Sequence, residues 1–250
     1  MLVILFLVGS AKSELIMSLV SQKLQAVHAE IADAAAAAGR DPDAIALLAV
    51  SKTFGADAVL EAVRAGQTAF GENYLQEALA KMAAVGAALP DARLEWHFIG
   101  PLQSNKTRAV ASHFDWVHSV ERAKTAERLS AQRPAHLPPL NVCLQVNLDA
   151  EATKSGVAPA QLPALARAIA RLPNLRLRGL MAIPEPAVGL EQQRAAFRRL
   201  RQLSEQLRED GLPLDTLSMG MSADLKAAVM EGATIVRIGS AIFGAREYAN

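Results

Sequence analysis

The sequence predicts an α/β protein, a (β/α)8 barrel of the TIM type with an extra N-terminal helix, and three observations carry that prediction. The chain has 250 residues, the length of roughly 250 that a single barrel of this kind uses. Short apolar runs alternate with amphipathic helical patterns to the C-terminus, without a composition break to mark a second domain, and the runs number eight. The competing arrangement, a doubly wound open sheet, normally carries a Gly-rich fingerprint after its first strand, whereas "SKTFGADAV" holds one glycine.

Taken in order, residues 1–16 hold a short apolar run with no basic residue ahead of it, too short to span a bilayer. A signal peptide is one reading. The reading preferred here is an extension outside the fold, with translation starting at Met17 and one domain over 17–250. Leu24, Val27 and Ile31 then recur at helical spacing, and the run Ala34 to Ala38 continues the helix to a stop at Gly39. The strand candidates follow: "AIALLAVS", "TAFG", "LEWHFIG", "DWVHSV", "NVCLQVNL", "RLRGLMAI", "DTLSMG" and "TIVRIG". Between them the patterns predict helices at Ala56 to Ala65, Tyr74 to Val85, Ala123 to Gln132, Pro159 to Arg171, Leu190 to Glu209 and Ala223 to Glu231, with a further helix start near Lys106 and Arg108.

Lys and Arg total 26 against 25 for Asp and Glu, and like charges do not cluster, so the electrostatic footprint of a nucleic-acid binder is missing and a small partner is expected. Cys143 is the only cysteine, which excludes an internal disulfide framework and multi-cysteine metal sites and fits a reducing cytoplasm. The five histidines lack metal-ligand spacing, so no metal site is expected.

In a barrel the C-terminal ends of the strands build the active face. Lys52 sits there on the first strand, Asn73 follows the second, His97 lies on the third, Asn147 ends the fifth, Met181 the sixth, Ser218 the seventh and Arg237 the eighth. Alternation puts Asn141, Cys143, Gln145 and Asn147 on one face of the fifth strand, and pairs Val50 with Lys52, Glu95 with His97 and Ile235 with Arg237. After the last two strands, "MGMSADLKAAV" offers Gly220, Met221 and Ser222, with Ser222 as a natural N-cap, and "RIGSAIFG" offers Gly239 and Ser240. Barrels place their recurrent phosphate site there, where glycine lets the backbone approach and helix ends attract negative charge.

A lysine is costly to desolvate, and desolvation favours its free amine, so Lys52 opposite a phosphate cradle points to Schiff-base chemistry. Pyridoxal phosphate is the cofactor that combines a lysine linkage, a phosphate cradle and a residue facing the pyridine nitrogen. Arg237 is placed for the last role; it can donate a hydrogen bond to that nitrogen but cannot keep it protonated as an aspartate would, which weakens the electron sink.

The segments "AVSKT", "FGENYLQE", "WHFIGPLQSNK", "FDWVHSVER", "VNLDAEATKSGV", "GLMAIP", "LSMGMSADLKAAV" and "VRIGSAIFGAR", in that order from Ile45 to Tyr248, resemble the pyridoxal phosphate homeostasis proteins of the YggS/PROSC type. The resemblance implies a single barrel like the N-terminal domain of alanine racemase, carrying pyridoxal 5'-phosphate covalently on Lys52. It assigns phosphate contacts to Ser222, Gly239 and Ser240 and the pyridine-nitrogen arginine to Arg237, and puts Asn73 and His97 in cofactor-pocket motifs. Phe54 departs from the polar or basic residue common after "SKT", which puts pocket access in question, and Ser240 replaces a frequent threonine but keeps the hydroxyl.

Three functions follow. The first is binding, storage or delivery of pyridoxal phosphate within the cell, to apo forms of enzymes that use it, with little or no turnover. It is favoured because the chain ends just after the eighth strand, whereas related racemases add a domain with a tyrosine base, and here only Tyr74 and Tyr248 exist. The others are a pyridoxal-dependent amino-acid racemase and a cofactor-free Schiff-base aldolase. A helix-rich surface predicts a monomer. His28, His113, His118 and His136 read as surface or strand-edge residues, Cys143 as barrel filling, Met219 as packing, and Trp96 and Trp116 as core between barrel and helices.

Overall fold

The computed structural model describes residues 18–149 and 155–244, so the expected extension over residues 1–16 lies outside the described residues. The first helix, α1 (Leu19–Ala37), is capped by Ser18, whose side chain accepts from the Ser21 amide, and it buries Leu24, Val27, Ile31, Ala34 and Ala35 along one stripe. It stops where the sequence placed a stop: Gly39 adopts φ 63°, and the Arg40 amide reaches back to Ala35 O at 2.9 Å, a Schellman closure.

Eight strands follow: β1 (Ala46–Val50), β2 (Ala69–Glu72), β3 (Glu95–Phe98), β4 (Trp116–Val120), β5 (Leu140–Gln145), β6 (Leu175–Met181), β7 (Thr216–Ser218) and β8 (Ile235–Ile238). Each pairs in parallel with the next, and β8 closes on β1 through Leu48 opposite Arg237, so the sheet is a closed barrel with no free edge. The helices are α2 (Ala56–Arg64), α3 (Leu75–Ala88), α4 (Thr107–His113), α5 (Ala123–Gln132), α6 (Leu162–Ile169), α7 (Leu190–Glu209), α8 (Leu225–Met230) and α9 (Ser240–Phe243). The stretch predicted as one helix from Pro159 begins with a 3-10 turn over Pro159–Gln161 before α6.

The interior has two layers. The larger core lies between strands and helices and holds Leu47, Ala49, Trp96 and Met219, while a smaller cluster inside the barrel holds Leu48, Trp116, Cys143, Met181 and Ile235. Trp96 is where the sequence placed it; Trp116 is a correction. Its ring lies inside the barrel, stacked on His97 at 5.3 Å between centroids and 6° between planes, with the Arg178 guanidinium 4.7 Å from its centre.

His118 is a second correction, since it is fully buried inside the barrel and not at a strand edge. It lies 2.9 Å from His97 Nδ1 and 2.8 Å from Ser218 Oγ. His28 and His136 are exposed as expected, and His113 closes the exposed end of α4. Cys143 fills the barrel, and burial pushes its thiol up to about 12, which removes it as a nucleophile.

Candidate functional site

At the C-terminal mouth of the barrel lies a cavity of about 330 Å³, within the size range of small-molecule sites. Lys52, Asn73, Met221, Ser222, Arg237, Gly239 and Ser240 line it, joined by Val50, Phe54, Ile99, Ile183, Ala223 and Gly244. Seven of the twelve residues picked from sequence therefore meet on one cavity. Phe54 packs on Phe243 with ring centroids 5.3 Å apart, so the departure at this position builds an aromatic wall beside Lys52.

The other five stand around it. Ser218 and His97 lie below, Met181 packs in the barrel interior, Gly220 shapes the loop behind Met221, and Asn147 lines a separate cavity with Asp149, Ser155 and Glu185. Ser222 is not a helix N-cap. The cap of α8 is Asp224, whose Oδ1 accepts from the Met221 amide at 2.6 Å and folds the loop into a turn ahead of a short helix. The amides of Ser222 and Ala223 make no hydrogen bond to any described residue, so two donors remain on the cavity wall. Asn73 adds an acceptor: its Oδ1 is buried and has no hydrogen-bond partner among the described residues.

Arg237 is 5% exposed, and its guanidinium donates to Ser218 Oγ at 2.8 Å and to Ala182 O at 3.0 Å. Burial lowers it to about 10, which still leaves a cation at neutral pH. Beneath it a polar column crosses the barrel. An arginine only donates, so Ser218 accepts from Arg237 and can give its own proton to His118 Nδ1; a neutral His118 then donates from Nε2 to His97 Nδ1. His97 Nε2 lies 3.7 Å from Glu95 Oε2 at the lower end. Burial, reinforced by the charge of Arg237, holds His118 well below the usual histidine range.

The Lys52 loop has its own support. Glu72 at the end of β2 is fully buried and accepts from Ser51 Oγ at 2.6 Å and from Lys81 at 2.5 Å. Burial pushes its carboxyl up, and the neighbouring Lys81 charge and bond oppose the shift without cancelling it. Lys81 was missed from sequence, where a lysine on a helix reads as solvated.

Residues 22–247 match the family model for the alanine racemase N-terminal domain, in agreement with the closed parallel barrel. The pyridoxal phosphate homeostasis protein of Pseudomonas aeruginosa is 64% identical over 232 residues, covering 93% of this chain and 98% of that protein. The chain belongs to the pyridoxal phosphate homeostasis protein family. The family member of Escherichia coli K12 is 51% identical over 230 residues, covering 92% of this chain and 98% of that protein. Among solved structures, PipY of Synechococcus elongatus with pyridoxal phosphate bound is 38% identical, superposes with a TM-score of 0.79, and is covered completely by 90% of this chain. Membership in the homeostasis family thus joins a mouth with a lysine, an arginine and two hydroxyl-bearing loops to a relative that holds this cofactor.

Proposed function

We propose that this protein binds pyridoxal 5'-phosphate at the barrel mouth, covalently through Lys52, and serves the intracellular homeostasis of that cofactor with little or no turnover of its own. The observation that carries the reading is the cavity itself: one space of about 330 Å³ lined at once by the Lys52 amine-bearing side chain, the Arg237 cation and the two loops at Ser222 and Ser240. The residues fit the group. The amides of Ser222 and Ala223 and the hydroxyls of Ser222 and Ser240 would hold the phosphate, Arg237 would donate to the pyridine nitrogen, and the unpartnered Asn73 Oδ1 would accept from a ring substituent. Gly220, Ser218 and His97 would act from behind, and Met181 from below. Asn147 belongs to the set only through the adjoining cavity.

Bound pyridoxal phosphate supplies an aldehyde carbon and a ring able to accept electrons. Lys52, on the cavity wall, would hold the cofactor through its amine, with the aldehyde as the group it engages, and would fix the ligand without turning it over. Arg237, a cation at neutral pH, would donate to the pyridine nitrogen without protonating it, which would leave the ring's pull on electrons weak, in keeping with a carrier more than a catalyst. In this reading the protein works as a monomer in the cytoplasm and releases its cofactor to apo forms of pyridoxal-dependent enzymes. Among the described residues no helix is long and apolar enough to cross a membrane.

The test is borohydride reduction of protein incubated with pyridoxal phosphate, followed by peptide mapping. A single stable adduct on Lys52, lost in Lys52→Ala, is expected. An adduct on another lysine would overturn the site, and loss of optical rotation from single-enantiomer amino acids at ordinary enzyme rates would overturn the carrier reading.

A further inference from the structure

The residues on either side of Lys52 are held by side chains that never reach the cavity. Ser51 uses its carbonyl to accept from Lys81 Nζ at 2.7 Å and its hydroxyl to donate to Glu72 Oε1. Thr53 gives its amide to Glu77 Oε1 at 2.7 Å. Lys81 closes the set, donating to Glu72 and, at 3.0 Å, to Glu77, one turn earlier on α3. None of these three charged residues lines the mouth cavity, and they hold the β1–α2 loop through Ser51 and Thr53.

The held conformation is one the chain would not choose. Thr53 has φ 71°, the only positive value at a non-glycine among the described residues, and a β-branched side chain is strongly disfavoured there. A strained residue next to Lys52 persists only when its surroundings over-determine it. Here they do: the Thr53 amide is fixed by a carboxylate, and that carboxylate by a lysine that is 4% exposed. A purely stabilising ion cluster would have no reason to spend its bonds on a strained turn.

We propose that Lys81, Glu72 and Glu77 form a positioning clamp that holds the Ser51–Thr53 turn so that the Lys52 amine enters the mouth cavity at a fixed depth and angle, ready to add to the cofactor's aldehyde. This inference rests on the proposed attachment at Lys52. Glu72, Glu77 and Lys81 reach the Ser51–Thr53 turn from the β2 side of β1, whereas Gly239 and Ser240 flank β1 from its β8 side and Ser222 follows β7, and among the described residues no hydrogen bond joins the clamp residues to those loops. The clamp therefore acts on capture by Lys52 and not on binding of the phosphate and ring.

The experiment follows two readouts on the same proteins. One is the rate at which borohydride traps pyridoxal phosphate on Lys52, measured by quantitative peptide mapping. The other is the affinity of cofactor-free protein for pyridoxine 5'-phosphate, which has the ring and phosphate but no aldehyde. Lys81→Met alone leaves Glu72 as a buried charge, so it is accompanied by the charge-balanced pair Lys81→Met with Glu72→Gln, and by Glu77→Ala, at a side chain about one-third exposed. Trapping is expected to slow on the order of 10- to 100-fold in the pair, the scale on which misplacement of a reacting group acts. Affinity for pyridoxine 5'-phosphate should stay at the wild-type value. Glu77→Gln, which keeps an acceptor for Thr53, should recover most of the rate that Glu77→Ala loses. Wild-type trapping rates in the pair and in Glu77→Ala would overturn the clamp, as would a parallel loss of pyridoxine 5'-phosphate binding, the mark of general loosening. A wild-type adduct on a lysine other than Lys52 would overturn the attachment reading, and the clamp with it.

Discussion

Gly220 shows how a single residue shapes the β7 side of the mouth. It adopts φ 94°, and a Cβ built on it would sit 2.5 Å from the Ala228 side chain on α8, while its carbonyl accepts from the Arg237 amide at 2.9 Å. Backbone conformation and packing both demand glycine, because an L-residue is strained at this φ and α8 cannot give way without moving the Met221–Asp224 turn. Gly220→Ala should cost about 2–4 kcal/mol by urea denaturation, the sum of a left-handed backbone penalty and overpacking. Affinity for pyridoxine 5'-phosphate should fall with it. A variant as stable as wild type would mean the turn relaxes freely. Lys52, Arg237, Ser222 and Ser240 could be picked from sequence because strand ends in a barrel are a small set of positions, and reactive or anion-binding residue types are conspicuous there. Lys81 could not: its partner carbonyl on Ser51 lies 30 residues away, and only closure of α3 over β1 and β2 brings them together.

Among the elements, α7 and α8 are joined by an ion cluster that the hydrophobic pattern does not reveal. Arg194, Arg198 and Arg201, along one side of α7, all reach the carboxylate of Glu231, which is 2% exposed at the C-terminal end of α8. A carboxylate at that end opposes the helix dipole, so the arginines must hold it. Burial alone would raise its carboxyl, but bonds from Arg194 and Arg198 outweigh burial and keep it below the ordinary range. The cluster therefore stabilises the fold above the usual carboxylate range and loses its effect as pH falls through it. Glu231→Ala should lower stability by about 1–3 kcal/mol, less than a fully buried pair because the arginines are partly solvated. Glu205→Ala, which breaks only an exposed pair with Arg201 four residues away, should stay within about 0.5 kcal/mol. Equal losses from the two would remove Glu231 as the joint between the helices. The span of α7 was legible from its apolar period, since Phe197, Leu200 and Leu207 recur at helical spacing, but polar partners across a helix pair carry no such period.

For the whole molecule, closure of the barrel decides which face of each strand is interior, and this is where sequence reading misplaced Trp116 and His118. Every residue of β4 is buried, on both faces, so alternation in "DWVHSV" names two faces without saying which is inside. The chosen face puts a neutral histidine in the centre of the barrel, between His97 and Ser218, and makes stability of the whole fold depend on pH. His118 has a folded value well below its unfolded one, so the unfolded chain binds a proton that the native barrel refuses. Its contribution is complete above about pH 6.5 and declines as pH falls below that, by up to about 1.4 kcal/mol per pH unit for one proton. Glu72, Asp115 and Asp224 are pushed up by burial and act in the opposite sense at lower pH, so a raw pH profile mixes the two. The clean measurement is the difference in unfolding free energy between wild type and His118→Gln across pH 5 to 7.5. Glutamine keeps a donor and an acceptor for His97 and Ser218 but does not titrate, so the difference should narrow steadily as the solution is acidified below pH 6.5. A difference that stays constant across that window would mean that the buried imidazole takes up its proton as readily in the folded barrel as in the unfolded chain.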